Sequence, residues 1–75
     1  MNKDILTGNW KQIRGSLKEW WGLLTDDELD QIEGRRERLV GKIQEKYGYT
    51  RQEAEESVQD FLDRFEAEME KRFTR

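Results

Sequence analysis

The 75-residue chain contains no cysteine, no histidine and no proline. Without cysteine there is neither a disulfide nor a thiolate site, and without histidine the commonest neutral metal ligand is missing, so a domain this small must draw its stability from helix packing or from association. The absence of proline, together with the lack of any Val/Ile/Thr alternation, leaves little room for strands. Nowhere do 18 apolar residues run together, and the opening MNKDILTGNW lacks the apolar stretch of a signal peptide, so a soluble, cytoplasmic protein is expected, with no role at a membrane. Catalysis also lacks its ordinary parts. The only serines are Ser16 and Ser57, no histidine or cysteine stands ready to pair with them, and the many carboxylates are spread over solvated faces. The reading is therefore no enzyme, no cofactor and no metal.

What is present is charge, at 41% of residues against 33% apolar, with a net charge of only −3. The charge comes in blocks. Residues 1–22 sum to +2, residues 23–33 to −5, residues 34–51 to +4 and residues 52–75 to −4. Blocks of alternating sign predict helices that neutralise one another across a thin apolar core.

The glycines fall at 8, 15 and 22 and again at 34, 41 and 48. Sliding one set onto the other lays Ile13 on Leu39, Leu17 on Ile43 and Trp21 on Tyr47, which predicts an internal repeat of a helix and a turn. Each repeat ends in the same punctuation. Gly22 and Gly48 are placed as left-handed residues closing a helix, with Leu23 folding back on Leu17 and Tyr49 on Ile43. Thr25 followed by Glu28, and Thr50 followed by Glu53, have the spacing of capping boxes, with Leu24 and Leu29 as a hydrophobic staple in the first, and Tyr49 and Ala54 in the second.

Between these marks the spacing predicts one all-α domain over residues 1–75, with four helices at about 9–21, 26–33, 35–47 and 51–73. A helix unbroken from 26 to 47 would be roughly 33 Å long, against a radius of gyration of about 11 Å for a compact chain of this length, and Arg36 occupies a position that should be apolar, so the break is placed at Gly34. Helix one buries Trp10, Ile13, Leu17 and one of Trp20 or Trp21. Helix four is a long cover that shows Val58, Phe61, Leu62, Phe65, Met69 and Phe73 at three- and four-residue steps. Two helical hairpins result, and at this length they share a core only by crossing.

The segments GNWKQIRG, KEWWGLLTDDELDQIEG and RRERLVGKIQEKYGYTRQEAE resemble the CsbD-like family of small bacterial stress-response proteins, in register from Met1 to about Val58. The resemblance implies a four-helix fold similar to the SAM-domain-like arrangement of crossed hairpins, production under general stress, and no catalytic or binding residues to carry over. Trp20 and Leu23 depart from the polar residues expected there, and helix four runs further than the family's. Both departures point toward association with an unknown protein partner or with itself.

Four local patterns are candidate sites. Asp26, Glu28, Asp30 and Glu37 have the spacing of a calcium loop, but Gln31 stands where the loop needs glycine and the cap already accounts for the acids. Arg35, Arg38, Lys42 and Lys46 form one basic stripe on helix three, a candidate surface for anions or nucleic acid. Pairing with the acidic helices is the simpler reading, and nucleic acid is not the expected partner. Helix one, with its tryptophans and Lys11, Arg14 and Lys18, has the character of a membrane-surface amphipath, but its apolar face matches that of its repeat partner, which favours the core. Gly15 and Gly41 lie about 200° from the apolar centre of their helices and form a candidate contact surface, with a close helix crossing favoured at Gly41.

The sequence thus supports a non-enzymatic stress-response protein acting through protein contacts or as a protectant. The alternative is a weak nucleic-acid or anion binder using the stripe.

Overall fold

A computed structural model describes residues 6–73, with the side chains of Arg72 and Phe73 outside the described part. It is all-helical, with no strand among the described residues. The four helices are α1 (Trp10–Trp20), α2 (Asp26–Ile32), α3 (Arg36–Tyr47) and α4 (Arg51–Phe73). Residues 6–8 are helical as well, and a turn at Asn9 leads from them into α1. The molecule measures 39 × 24 × 20 Å with a Cα radius of gyration of 12.0 Å.

Both capping boxes form. The Thr25 hydroxyl accepts from the Glu28 N–H at 3.2 Å while the Glu28 carboxylate accepts from the Thr25 N–H at 3.0 Å. Thr50 and Glu53 repeat the exchange at 3.1 and 2.9 Å. Each box satisfies two backbone donors that a helix start leaves without partners. Leu24 and Leu29, the first staple pair, are both buried. In the second, Ala54 is buried but Tyr49 is turned outward, its ring 5.8 Å from that of Tyr47.

The helix stops differ between the repeats. Gly48 closes α3 in the left-handed region at φ 71°. Gly22 does not do the same for α1. There the cap is Trp21 at φ −130°, and the chain turns through a Leu24 N–H to Trp21 carbonyl bond of 3.1 Å. Positive φ is confined among the described residues to Glu33, Gly34 and Gly48. Trp21 is buried in the core, and its backbone has already left the helical region one residue before the glycine. Leu23, expected to fold back on the buried Leu17, is instead 55% exposed, and its N–H donates to the Tyr47 hydroxyl at 3.1 Å.

α2 stops where the expected break lies. Glu33 and Gly34 stand in succession in the left-handed region, at φ 54° and 77°, reversing the chain before α3. Gly34 is buried against the N-terminal turn. A Cβ there would lie 3.4 Å from the Thr7 Cα, and the Thr7 hydroxyl donates to the Gly34 carbonyl at 3.0 Å.

The core gathers Leu6, Ile13, Leu17, Trp21, Leu24, Leu29 and Ile32 with Leu39, Val40, Ile43, Ala54, Val58, Phe61 and Leu62. No polar or charged residue is buried among the described residues. Leu6 was not anticipated as a core residue. Trp21 is the tryptophan that goes inside, and Trp20 stays 40% exposed with its ring edge-on to Phe61 at 5.2 Å. The closest helix pair is α3 with α4, followed by α2 with α3. On α4 the apolar stripe thins outward from the buried Leu62 to the half-buried Phe65 and Met69. The next expected member, Phe73, has its side chain outside the described part.

Candidate functional site

Three of the four acids of the calcium-like spacing are taken up by bases, and Glu37 has no ion pair among the described residues. Asp26 accepts from Lys18 at 2.7 Å, Asp30 from Arg14 at 2.8 Å, and Glu28 from Lys46 at 2.8 Å in addition to its capping role. The Lys18 ammonium bonded to Asp26 holds that carboxyl below its usual range. For Glu28 the larger cause is the Lys46 ammonium, followed by the Thr25 N–H. α2 carries three acids in its first turn, where the macrodipole favours them, and all three pairs bind it to the basic helices on either side.

These contacts decide much about the stripe on α3. Arg35, Arg38, Lys42 and Lys46 do fall on one helix or its cap, but three of the four have acidic neighbours. Lys46 is held by Glu28, Arg38 donates to the Gln31 carbonyl at 2.9 Å and lies 3.7 Å from Glu33, and Lys42 lies 3.7 Å from Glu45. Arg35 makes no ion pair among the described residues; as the N-cap of α3 it offers no side-chain cap.

Gly15 and Gly41 are both exposed, and a Cβ at either would meet nothing within 4 Å. The close helix crossing expected at Gly41 is therefore absent among the described residues, and the side chains that α3 buries are Leu39, Val40 and Ile43. Gly41 instead borders an open surface depression with Arg38, Lys42 and Glu45.

Two features were not, or only partly, legible in the sequence. One is the exposure of apolar side chains near the turns: among the described residues Trp20, Leu23 and Tyr49 are the exposed large hydrophobic residues, of which Trp20 and Leu23 already stood out in the sequence, and the Leu23 to Tyr47 hydrogen bond joins the α1–α2 turn to the end of α3. The Arg64 guanidinium lies 5.7 Å above the Trp20 ring. The other is a groove of about 800 Å³ beside the α2–α3 break, whose walls include Arg35, Arg36 and Arg51. Arg36, one of these, has its Nη1 atom buried without an acceptor. Arg36 was read only as an interruption of an apolar pattern, and no local spacing signals a groove built from three separate segments. No group of three or more acidic side chains is placed to hold a metal among the described residues, and no helix there is long and apolar enough to cross a membrane.

Comparison with known proteins gives a family and leaves the site open. The sequence profile described as CsbD-like matches residues 4–56. The chain is 59% identical over 61 residues to the UPF0337 protein YjbJ of Salmonella typhimurium, covering 81% of this chain and 87% of that protein. To YjbJ of Escherichia coli K12 it is 58% identical over 66 residues, covering 88% and 96%. A UPF0337 protein of Pseudomonas aeruginosa is 53% identical over 64 residues, with coverage of 85% and 98%. The profile ends within the first turns of α4, so Phe61, Phe65 and Met69 lie beyond it.

Proposed function

The chain belongs to the CsbD-like family, and from that premise we propose that it is a non-enzymatic general stress-response protein, cytoplasmic, working through protein contacts or as a protectant. For the fold we retain two crossed α-hairpins in a SAM-domain-like arrangement, a reading supported by the close pairing of α3 with α4.

The observation that carries the functional reading is the exposure of Trp20, Leu23 and Tyr49 on a chain that otherwise presents charge to solvent. Exposed aromatic and aliphatic side chains near ordered turns are the elements from which contact hot spots are made. Capture from stressed cells with the parent chain and with Leu23→Ser tests it, read beside the sedimentation behaviour of both. Loss of a captured protein or of self-association in the variant, with an unchanged helical spectrum, is the expected result. Identical capture by the two chains removes this surface from the reading.

The second reading, a weak nucleic-acid or anion binder using Arg35, Arg38, Lys42 and Lys46, is weakened by the three acidic neighbours of that stripe. A gel shift at low salt, repeated with Arg35, Arg38 and Lys42 reversed in charge, separates the two. Retardation lost on reversal supports the second reading, and no retardation of the parent chain eliminates it.

A further inference from the structure

Two cations without an ion pair among the described residues, Arg35 and Arg36, point to a binding site that shares Arg35 with the stripe but not Arg38, Lys42 or Lys46, and that includes none of Trp20, Leu23 and Tyr49. Arg14, Lys18, Arg38, Lys42, Lys46, Arg51 and Arg64 all form ion pairs. Among the described residues Lys11, Arg35, Arg36 and Lys71 form none, and of these the sequence neighbours Arg35 and Arg36 both line the groove beside the α2–α3 break. Arg36 is half-buried, and its Nη1 is shut away from solvent with no acceptor. A guanidinium that has lost part of its hydration and gained no counter-charge is costly, and its field at the groove wall is poorly screened. Nη1 is buried without a partner, while Arg36 as a whole is only half-buried and lines the groove.

The lining carboxylates do not cancel this charge. Glu55 is engaged by Arg51 at 3.0 Å, and Glu33 lies 3.7 Å from Arg38. Among the described residues only Glu37 lines the groove without a basic partner. Two uncompensated guanidinium groups against one free carboxylate leave a local excess of positive charge. Guanidinium forks match the paired oxygens of phosphate and carboxylate groups.

We infer that this groove binds a small multivalent oxyanion, held between Arg35 and Arg36. The bound anion supplies the counter-charge that Arg36 lacks. The inference does not depend on the protein-contact reading, since none of Trp20, Leu23 and Tyr49 lines the groove.

The test is a titration of the ¹⁵N-labelled full chain with inorganic phosphate at constant ionic strength, followed by amide shifts. Saturable shifts confined to Gly34 through Glu37, absent when chloride replaces phosphate, are expected. Arg36→Gln should weaken binding about tenfold, the loss expected for one charge-assisted contact. Arg35→Gln, at an exposed position where folding is not at risk, should weaken it comparably. Glu37→Gln should tighten it, and Lys42→Gln on the stripe should leave it unchanged. Citrate should compete with phosphate, whereas acetate should not. Shifts that chloride reproduces, or binding indifferent to both arginine variants, would overturn the site. A short single-stranded oligonucleotide that moves the Arg38 and Lys42 amides together with the groove and binds far more tightly than phosphate would replace a small anion with a polymer.

Discussion

Gly34 is the residue whose backbone most constrains what can stand in its place. Its φ of 77° is open to glycine but strained for any residue with a Cβ, and its burial against Thr7 leaves little slack for the chain to relax. Gly34→Ala should therefore cost about 1–2 kcal/mol, read as a lowered urea midpoint with an unchanged slope. Thr25→Ala tests a different kind of local term. It removes the acceptor for the Glu28 N–H and should cost about 1 kcal/mol. The equivalent Thr50→Ala should lose a similar amount, because its box has nearly the same geometry. If neither threonine variant moves the midpoint, water replaces the hydroxyls at no cost and the boxes contribute nothing to stability. Both boxes were legible in the sequence because the partners lie three residues apart and need no knowledge of the fold. The Gly34 environment was only half legible: a break was required on length and on Arg36, but the Thr7 hydroxyl that fastens it lies 27 residues away.

At the scale of elements, the helix bounds followed from periodicity and caps, signals that each fit within a turn or two of chain. What the sequence could not settle were the contacts between elements. Leu6 sits in the core although the Ile5-Leu6 pair is too short to show a period, and Gly22 took a role in analogy with Gly48 that the burial of Trp21 denies it. The placement of Gly41 shows the same limit. Its angle from the apolar face points outward, as the periodicity predicts, but no helix among the described residues crosses there and a Cβ would meet open space. With that crossing gone, the helix-propensity cost of each exposed glycine is uncompensated within the chain. Gly15→Ala and Gly41→Ala should each stabilise the protein by about 1 kcal/mol, measured by thermal melts. A destabilised Gly41→Ala would mean that another chain covers α3 in solution, and sedimentation of the same samples distinguishes that case from a local effect.

Over the whole molecule the alternating charge blocks become an arrangement with consequences for pH. α2 spans seven residues, too few to hold a helix alone, and it lies between basic partners that reach it from α1 through Lys18 and Arg14 and from α3 through Lys46. Asp26 and Glu28 both have their carboxyls held below the ordinary values of 3.8 and 4.5, by Lys18 and by Lys46 respectively. The unfolded chain therefore binds more protons than the folded one as acid is added. Their contribution to stability is complete above the ordinary carboxyl range and is lost as pH falls through the depressed folded values. Urea midpoints measured from pH 7 down to pH 3 should hold steady and then drop, with the amides of α2 losing exchange protection before those of α3 and α4. Lys46→Met isolates one link of this chain of pairs. The variant should be less stable than the parent at pH 7 and should show a shallower acid limb, since Glu28 then titrates closer to its unfolded value. Added salt should weaken the parent more than the variant at neutral pH, because the 2.8 Å pair lies at a partly exposed site where screening reaches it. Parallel pH curves for the two chains would show that solvent already screens the Glu28–Lys46 pair, leaving α2 held by the burial of Leu29 and Ile32 and by its cap.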